Sequence, residues 1–248
     1  MPFLVGFVIA LAVGLTGVGA GSITAPVLIL FFAISPADSV GTALIFAAVI
    51  KLAVAPLYLL RGQVDRRVML LLCAGGLPGV LLGVFLIGAL NVLHYERVLF
   101  VLLGTTVATM ALYSIYRTLQ KGRRDRSNDR HGWLPLIAAG IGTEVGFSSA
   151  GAGALGSLAL LNLTSLTPAQ VVGTDMMFGL VLSLVGGGFN LTAGHYSSAL
   201  LWKLIAGGIA GVLMGANLSA VLPPRPLRVG LSVWLSFIGA QLAWKGLS

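Results

Sequence analysis

Apolar residues run through this chain in long blocks, and polar residues are confined to short interruptions between them. Six blocks are long enough to cross a bilayer as helices: residues 38–60, 68–90, 98–116, 169–193, 198–222 and 229–246. About 20 apolar residues span the hydrocarbon. Four shorter apolar arms, 3–16, 22–34, 133–147 and 154–162, come as two pairs. A run of small residues divides each pair: Thr16-Gly17-Val18-Gly19-Ala20-Gly21-Ser22 in the first, Ser148-Ser149-Ala150-Gly151-Ala152-Gly153 in the second. The arms are too short to span alone, so each pair predicts a broken or hairpin helix. Ser35-Pro36-Ala37-Asp38 and Thr164 to Pro168 read as turns opening the next helix.

The two broken elements belong to a duplication. Gly19 and Gly21 recur as Gly151 and Gly153, an offset of 132. The same offset pairs Pro36 with Pro168, Gly41-Thr42 with Gly173-Thr174, and Gly62 with Gly194. It also pairs Gly75-Gly76 with Gly207-Gly208, Gly79 with Gly211, and Gly83 with Gly215. Chance alignment of glycine-rich membrane segments would not keep Pro, Thr and Gly in one register, and internal repeats are common in transporter folds.

Charge sets the relative orientation of the halves. Residues 61–67 carry three arginines and one aspartate, whereas the counterpart 193–199 carries only His195. Residues 223–228 carry two arginines, while 91–97 carry one arginine and one glutamate. Short positive loops face the cytoplasm, so the halves face opposite ways. The expected fold is an all-α polytopic membrane protein of two inverted repeats. Each repeat has a broken or hairpin helix element plus three transmembrane helices. Repeat 1 covers 1–117, a flexible cytoplasmic linker covers 118–132 and repeat 2 covers 133–248, all within one integral membrane domain, 1–248. The basic loops 61–67 and 117–131 are expected inside.

Composition agrees. Of 248 residues, 57% are hydrophobic and 9% charged, against about 25% charged in soluble domains. The net charge of +8 clusters in loops, where it reads as topology and not as a nucleic-acid surface. Cys73 is the one cysteine and has no companions for a metal cluster; His94, His131 and His195 are scattered over loops. No cofactor is expected. There is no GxxxxGK[ST] loop for ATP and no nucleophile–base pair at catalytic spacing, so an enzyme is not expected. The N-terminus lacks a basic n-region and does not read as a removable signal peptide. The expected partners are the lipid bilayer and a small anion, with a homodimer left open.

The small-residue runs are the candidate site. A helix starting at Gly21-Ser22 inside the membrane would present free backbone N–H groups and the positive end of its dipole to an anion. Thr16, Ser22, Ser148 and Ser149 would add hydroxyls, and Gly17, Gly19, Gly21, Gly151 and Gly153 would let a ligand approach the backbone. Tight helix packing by small residues is the alternative use of such runs. Thr42 and Thr174 either donate to the anion or bond to their own helix carbonyls. Lys51, Glu144 and Asp175 lie within apolar blocks, where ionisable residues are costly and usually functional. Lys51 would attract the anion, and the two acids would carry protons. Pairing of Lys51 with either acid is the structural alternative. Lys203, nearer a block end, is expected to snorkel.

The residues from Gly14 to Ser22, followed by Pro26, resemble the N-terminal signature of the TauE/SafE sulfite exporter family, also called the 4-toluene sulfonate uptake permease family. Gly151-Ala152-Gly153, Val172-Gly173-Thr174-Asp175 and Gly207-Gly208-Ile209-Ala210-Gly211 with Gly215 match its second signature. Pro78-Gly79 matches the equivalent element of the first half. The resemblance implies secondary transport of sulfite, organosulfonates or related sulfur anions across a bacterial cytoplasmic membrane. The family commonly has three consecutive glycines where this chain has Ala20 and Ala152 in the middle. A serine usually follows the first-half threonine, where this chain has Ala43. These departures bear on substrate choice. A passive anion channel of the same architecture is the second reading.

Overall fold

The computed structural model describes residues 1–16, 19–92, 96–119, 131–150, 153, 155–218 and 224–247. Among these residues the regular structure is helical, with no strand. The first half contains α1 (Pro2–Thr16), α2 (Ala20–Phe31), α3 (Pro36–Leu60), α4 (Arg66–Val92) and α5 (Glu96–Leu119). The second contains α6 (Leu134–Ser148), α7 (Leu155–Leu163), α8 (Pro168–Ala193), α9 (Ser198–Leu218) and α10 (Pro224–Leu247). Most of the predicted linker lies outside the described residues.

Local chemistry explains the boundaries. Pro36 and Pro168 begin α3 and α8, where a missing N–H costs nothing. Ser35 caps α3 by accepting from the Asp38 amide, and Thr167 with Gln170 forms a capping box on α8. At the far ends of these helices Gly62 and Gly194 take φ of +61° and +77°, a left-handed turn that glycine makes without strain.

Five helices are long and apolar enough to cross a membrane by length and composition: α3, α4, α5, α8 and α9. The sequence predicts six. The difference is α10, which has 24 residues but interrupts its apolar run with Ser232, Ser236, Gln241 and Lys245.

Glycines decide which helices meet. Gly75, Gly79 and Gly83 of α4 lie against the carbonyls of Pro135, Ala139 and Thr143 of α6, so close that a Cβ would collide with backbone. Both residue numbers rise together, so α4 and α6 run parallel. Gly207, Gly211 and Gly215 of α9 meet Phe3, Phe7 and Leu11 of α1 in the same way. These contacts are the same ones shifted by 132, with partners exchanged. Where no hydrophobic drive separates helix from lipid, such backbone approach supplies the packing energy.

The other principal pairs run antiparallel. Along α3 and α8, Lys51 meets Ser183 and Gly187 meets Ile45. Along α5 and α10, Gly104 meets Ala243 and Gly246 meets Arg97. Gly76 against Phe178, and Gly186 against Val80 and Val84, set α4 parallel to α8. Helix α7 turns back along α8, joined by residues 164–167 and tied by Ser157 to Asp175. Since α6 follows α4, and α4 follows α8, α6 and α7 are antiparallel. They form a hairpin whose apex lies beside Val80 and Val84, midway along α4. Two apolar cores result, and each draws buried residues from both halves.

Candidate functional site

The two broken elements meet where each is interrupted, at the start of α2 and the end of α6. The Ser149 hydroxyl donates to the Gly21 carbonyl at 2.9 Å, and Gly21 presses against the Ser149 backbone so closely that no side chain would fit. Ser149 ends α6 with φ of 58°, an uncommon left-handed conformation for a non-glycine residue; it turns the chain at the apex. Gly153, at φ of 104°, continues that turn. On the other side, Gly19 is the N-cap of α2 and brings no side-chain cap to its first amides. The small-residue runs are thus a contact between the two halves. Gly17 and Gly151 lie outside the described residues, as does the side chain of Thr16.

The hydroxyls at the apices are engaged inside the protein. Ser22 donates to the Gly19 carbonyl at 2.6 Å. Ser148 lies 2.6 Å from Glu144 Oε1 and accepts from the Ala150 amide at 3.1 Å. Glu144 therefore holds the apex of the second hairpin through Ser148. It also bonds Thr106 of α5.

Lys51 is 5% exposed, deep within α3. Its Nζ donates to Ser183 Oγ at 3.2 Å. Asp175 lies within electrostatic range, and its Oδ2 accepts from Ser157 at 2.6 Å. The lysine lines a narrow crevice with Val13 and Gly14 at the inner end of α1, Met176 beside Asp175, and Val212 and Ala216 of α9. A buried charge is costly unless neighbours compensate it; here its hydrogen-bond partner is a neutral hydroxyl.

Thr42 and Thr174 are fully buried but serve the turns. Thr42 Oγ1 accepts from the Ser197 amide at 2.9 Å, and Thr174 Oγ1 accepts from the Asp65 amide at 3.0 Å. Each threonine fastens the turn of the opposite half. Beside the first, His195 Nδ1 lies 3.9 Å from Asp38 Oδ1 at a half-exposed surface. Ser183 and Thr106 are the polar partners that reading the sequence missed. Ser183 was within reach of it, since 183 is 51 plus the repeat offset of 132.

Long apolar helices, broken elements that touch one another and ionisable groups buried in α3 and α8 make this a polytopic membrane protein. The profile of the family described as sulfite exporter TauE/SafE matches residues 2–242. The chain belongs to this family. Three proteins of Bacillus subtilis (strain 168) are similar to it over nearly their whole lengths. Probable membrane transporter protein YjnA is 29% identical, covering 96% of this chain and 97% of its own. Probable membrane transporter protein YdhB is 25% identical, with 96% and 98% covered. Probable membrane transporter protein YunE is 22% identical, with 100% and 99% covered. No solved structure matches the chain.

Proposed function

We propose that this protein is a secondary transporter, working as an exporter, for sulfite, an organosulfonate or a related small sulfur anion in a bacterial cytoplasmic membrane. The observation that carries this reading is the meeting of the two broken elements at Gly21 and Ser149, in a bundle that also buries Lys51 of α3 against the inner end of α1. Non-helical backbone at membrane depth is tolerated where it is buried in protein or lines a cavity, and discontinuous helices at the midplane are a recurrent transporter site. The family description and the names of the Bacillus relatives support a transport role.

In this reading the halves are inverted repeats about an axis in the membrane plane. Equivalent helices α3 and α8 run antiparallel, as do α5 and α10, and close contacts recur 132 residues on with partners exchanged. A hairpin contributes no net crossing, so three spans per half, with the less apolar α10 counted as the sixth, leave the halves facing opposite ways. The loops 61–67 and 117–131 are then cytoplasmic. The anion is received between the apices by the glycine backbone of Gly17, Gly19, Gly21, Gly151 and Gly153. Ser22, Ser148 and Ser149 exchange their internal bonds for it, Thr16 adds its hydroxyl, and Thr42 and Thr174 hold the turns that frame the path. Glu144 and Asp175 carry coupling protons.

Proteoliposomes decide the matter. The expected result is saturable, protein-dependent flux of sulfite or a sulfonate that responds to a proton gradient. Absence of such flux under every gradient would sink the proposal. Flux that never saturates and ignores the proton gradient would assign the chain to the passive channels.

A further inference from the structure

Lys51 and Ser183 occupy equivalent positions of the two halves, 132 residues apart, and they touch. Equivalent positions of a two-fold repeat meet only on its axis. In the inverted-repeat reading Lys51 therefore sits beside that axis, where α3 packs on α8. Its ammonium has three protons to give and gives one of them to a neutral hydroxyl. It opens onto the crevice beside Val13 and Gly14 at the inner end of the first hairpin. The equivalent space on the Ser183 side is closed, because Leu44, Val80 and Val84 pack against Gly186. One half thus keeps a narrow crevice where the other is packed with side chains, although both are built on the same scaffold.

We infer that Lys51 is the counter-charge of the transported anion in both the inward-facing and the outward-facing states, and that Ser183 is the acceptor on which the ammonium rests when the site is empty. This deepens the transport reading and rests on it. A cation on the axis need not move between faces. The crevice opens to one side and then to the other, while the charge stays in place. The anion and Ser183 compete for the same ammonium protons. Ser183 is thus a positioning residue, and one ammonium whose charge Asp175 already offsets in part suits an anion of no more than single charge.

The test measures sulfite and methanesulfonate uptake into proteoliposomes, using protein oriented right-side-out and inside-out. Wild type, Lys51→Gln, Lys51→Arg and Ser183→Ala are compared, with folding checked by gel filtration. Lys51→Gln should raise KM at least tenfold in both orientations, with partial recovery in Lys51→Arg. Ser183→Ala should lower KM severalfold, because the competitor is gone; a lysine serving only structure would give no such gain. A folded Lys51→Gln protein with wild-type KM overturns the inference, as does an effect confined to one orientation. If Lys51→Gln does not fold, Ser183→Ala decides, and an unchanged or raised KM overturns it. Failure of wild-type transport would strike the proposed function instead, so the two outcomes are distinguishable.

Discussion

Gly21→Ala tests whether the hairpin apices touch as the structure has them. The added methyl group would be driven into the Ser149 carbonyl, a backbone atom with no rotamer to escape into. Overpacking of this kind costs about 1–3 kcal/mol. Separating the apices also breaks the hydrogen bond from Ser149 Oγ to the Gly21 carbonyl, worth about 1 kcal/mol. Against this stands the helix preference of alanine over glycine, up to ~1 kcal/mol. The net loss is about 1–3 kcal/mol, or roughly 2–12 °C in melting temperature for a chain of this length. Gly140→Ala on the exposed face of α6 is the control: nothing lies near an added Cβ there, so only the gain in helix preference remains. Cys73, the one cysteine, is half-buried in α4 and supplies the readout. A thiol-reactive dye reports its exposure as detergent-purified protein is heated. If Gly21→Ala melts with or above the wild type, the contact between the apices is wrong.

Two further outcomes follow from the polar network. Thr42→Val and Thr174→Val each remove the acceptor for a turn amide, Ser197 N or Asp65 N; each should cost about 1–3 kcal/mol. The double variant should lose the sum of the two within about 0.5 kcal/mol, measured by the same dye, and a wild-type melt in either single variant would refute the assignment. Glu144→Gln combined with Asp175→Asn should flatten the pH dependence of transport in proteoliposomes, and an unchanged profile would remove these carboxylates from coupling.

Much of the helical plan is readable in the chain, for a simple reason. Lipid cannot solvate a free amide, so apolar blocks must be helices and their ends fall where polar residues begin. The predicted block 38–60 is α3 from Pro36 to Leu60, and 169–193 is α8 from Pro168 to Ala193. Each begins a residue or two early because proline favours the first helical turn. Pairing is not readable in this way. A glycine stripe at Gly75, Gly79 and Gly83 announces close packing, but any helix offering a row of carbonyls can fill it, and nothing in the stripe names α6. The site divides along the same line. The contact between the small-residue runs follows from their being matched and misplaced within apolar blocks. The bonds to Thr42 and Thr174 do not, because a buried hydroxyl can serve a turn, a helix carbonyl or a ligand equally well, and only the tertiary path decides.

The pairing of α1 with α9 bears on how the protein is made. Helix α6 emerges from the ribosome after its partner α4, and can dock on arrival. Helix α1 emerges first, and its partner begins only at Ser198. At about 5–20 residues per second, the wait is on the order of ten to forty seconds. Through that interval the first hairpin arm must stay in the membrane with its packing face uncovered. The two halves share an architecture but not a birth order. A ribosome stall before α9 would leave the opening arm of the chain without its mate.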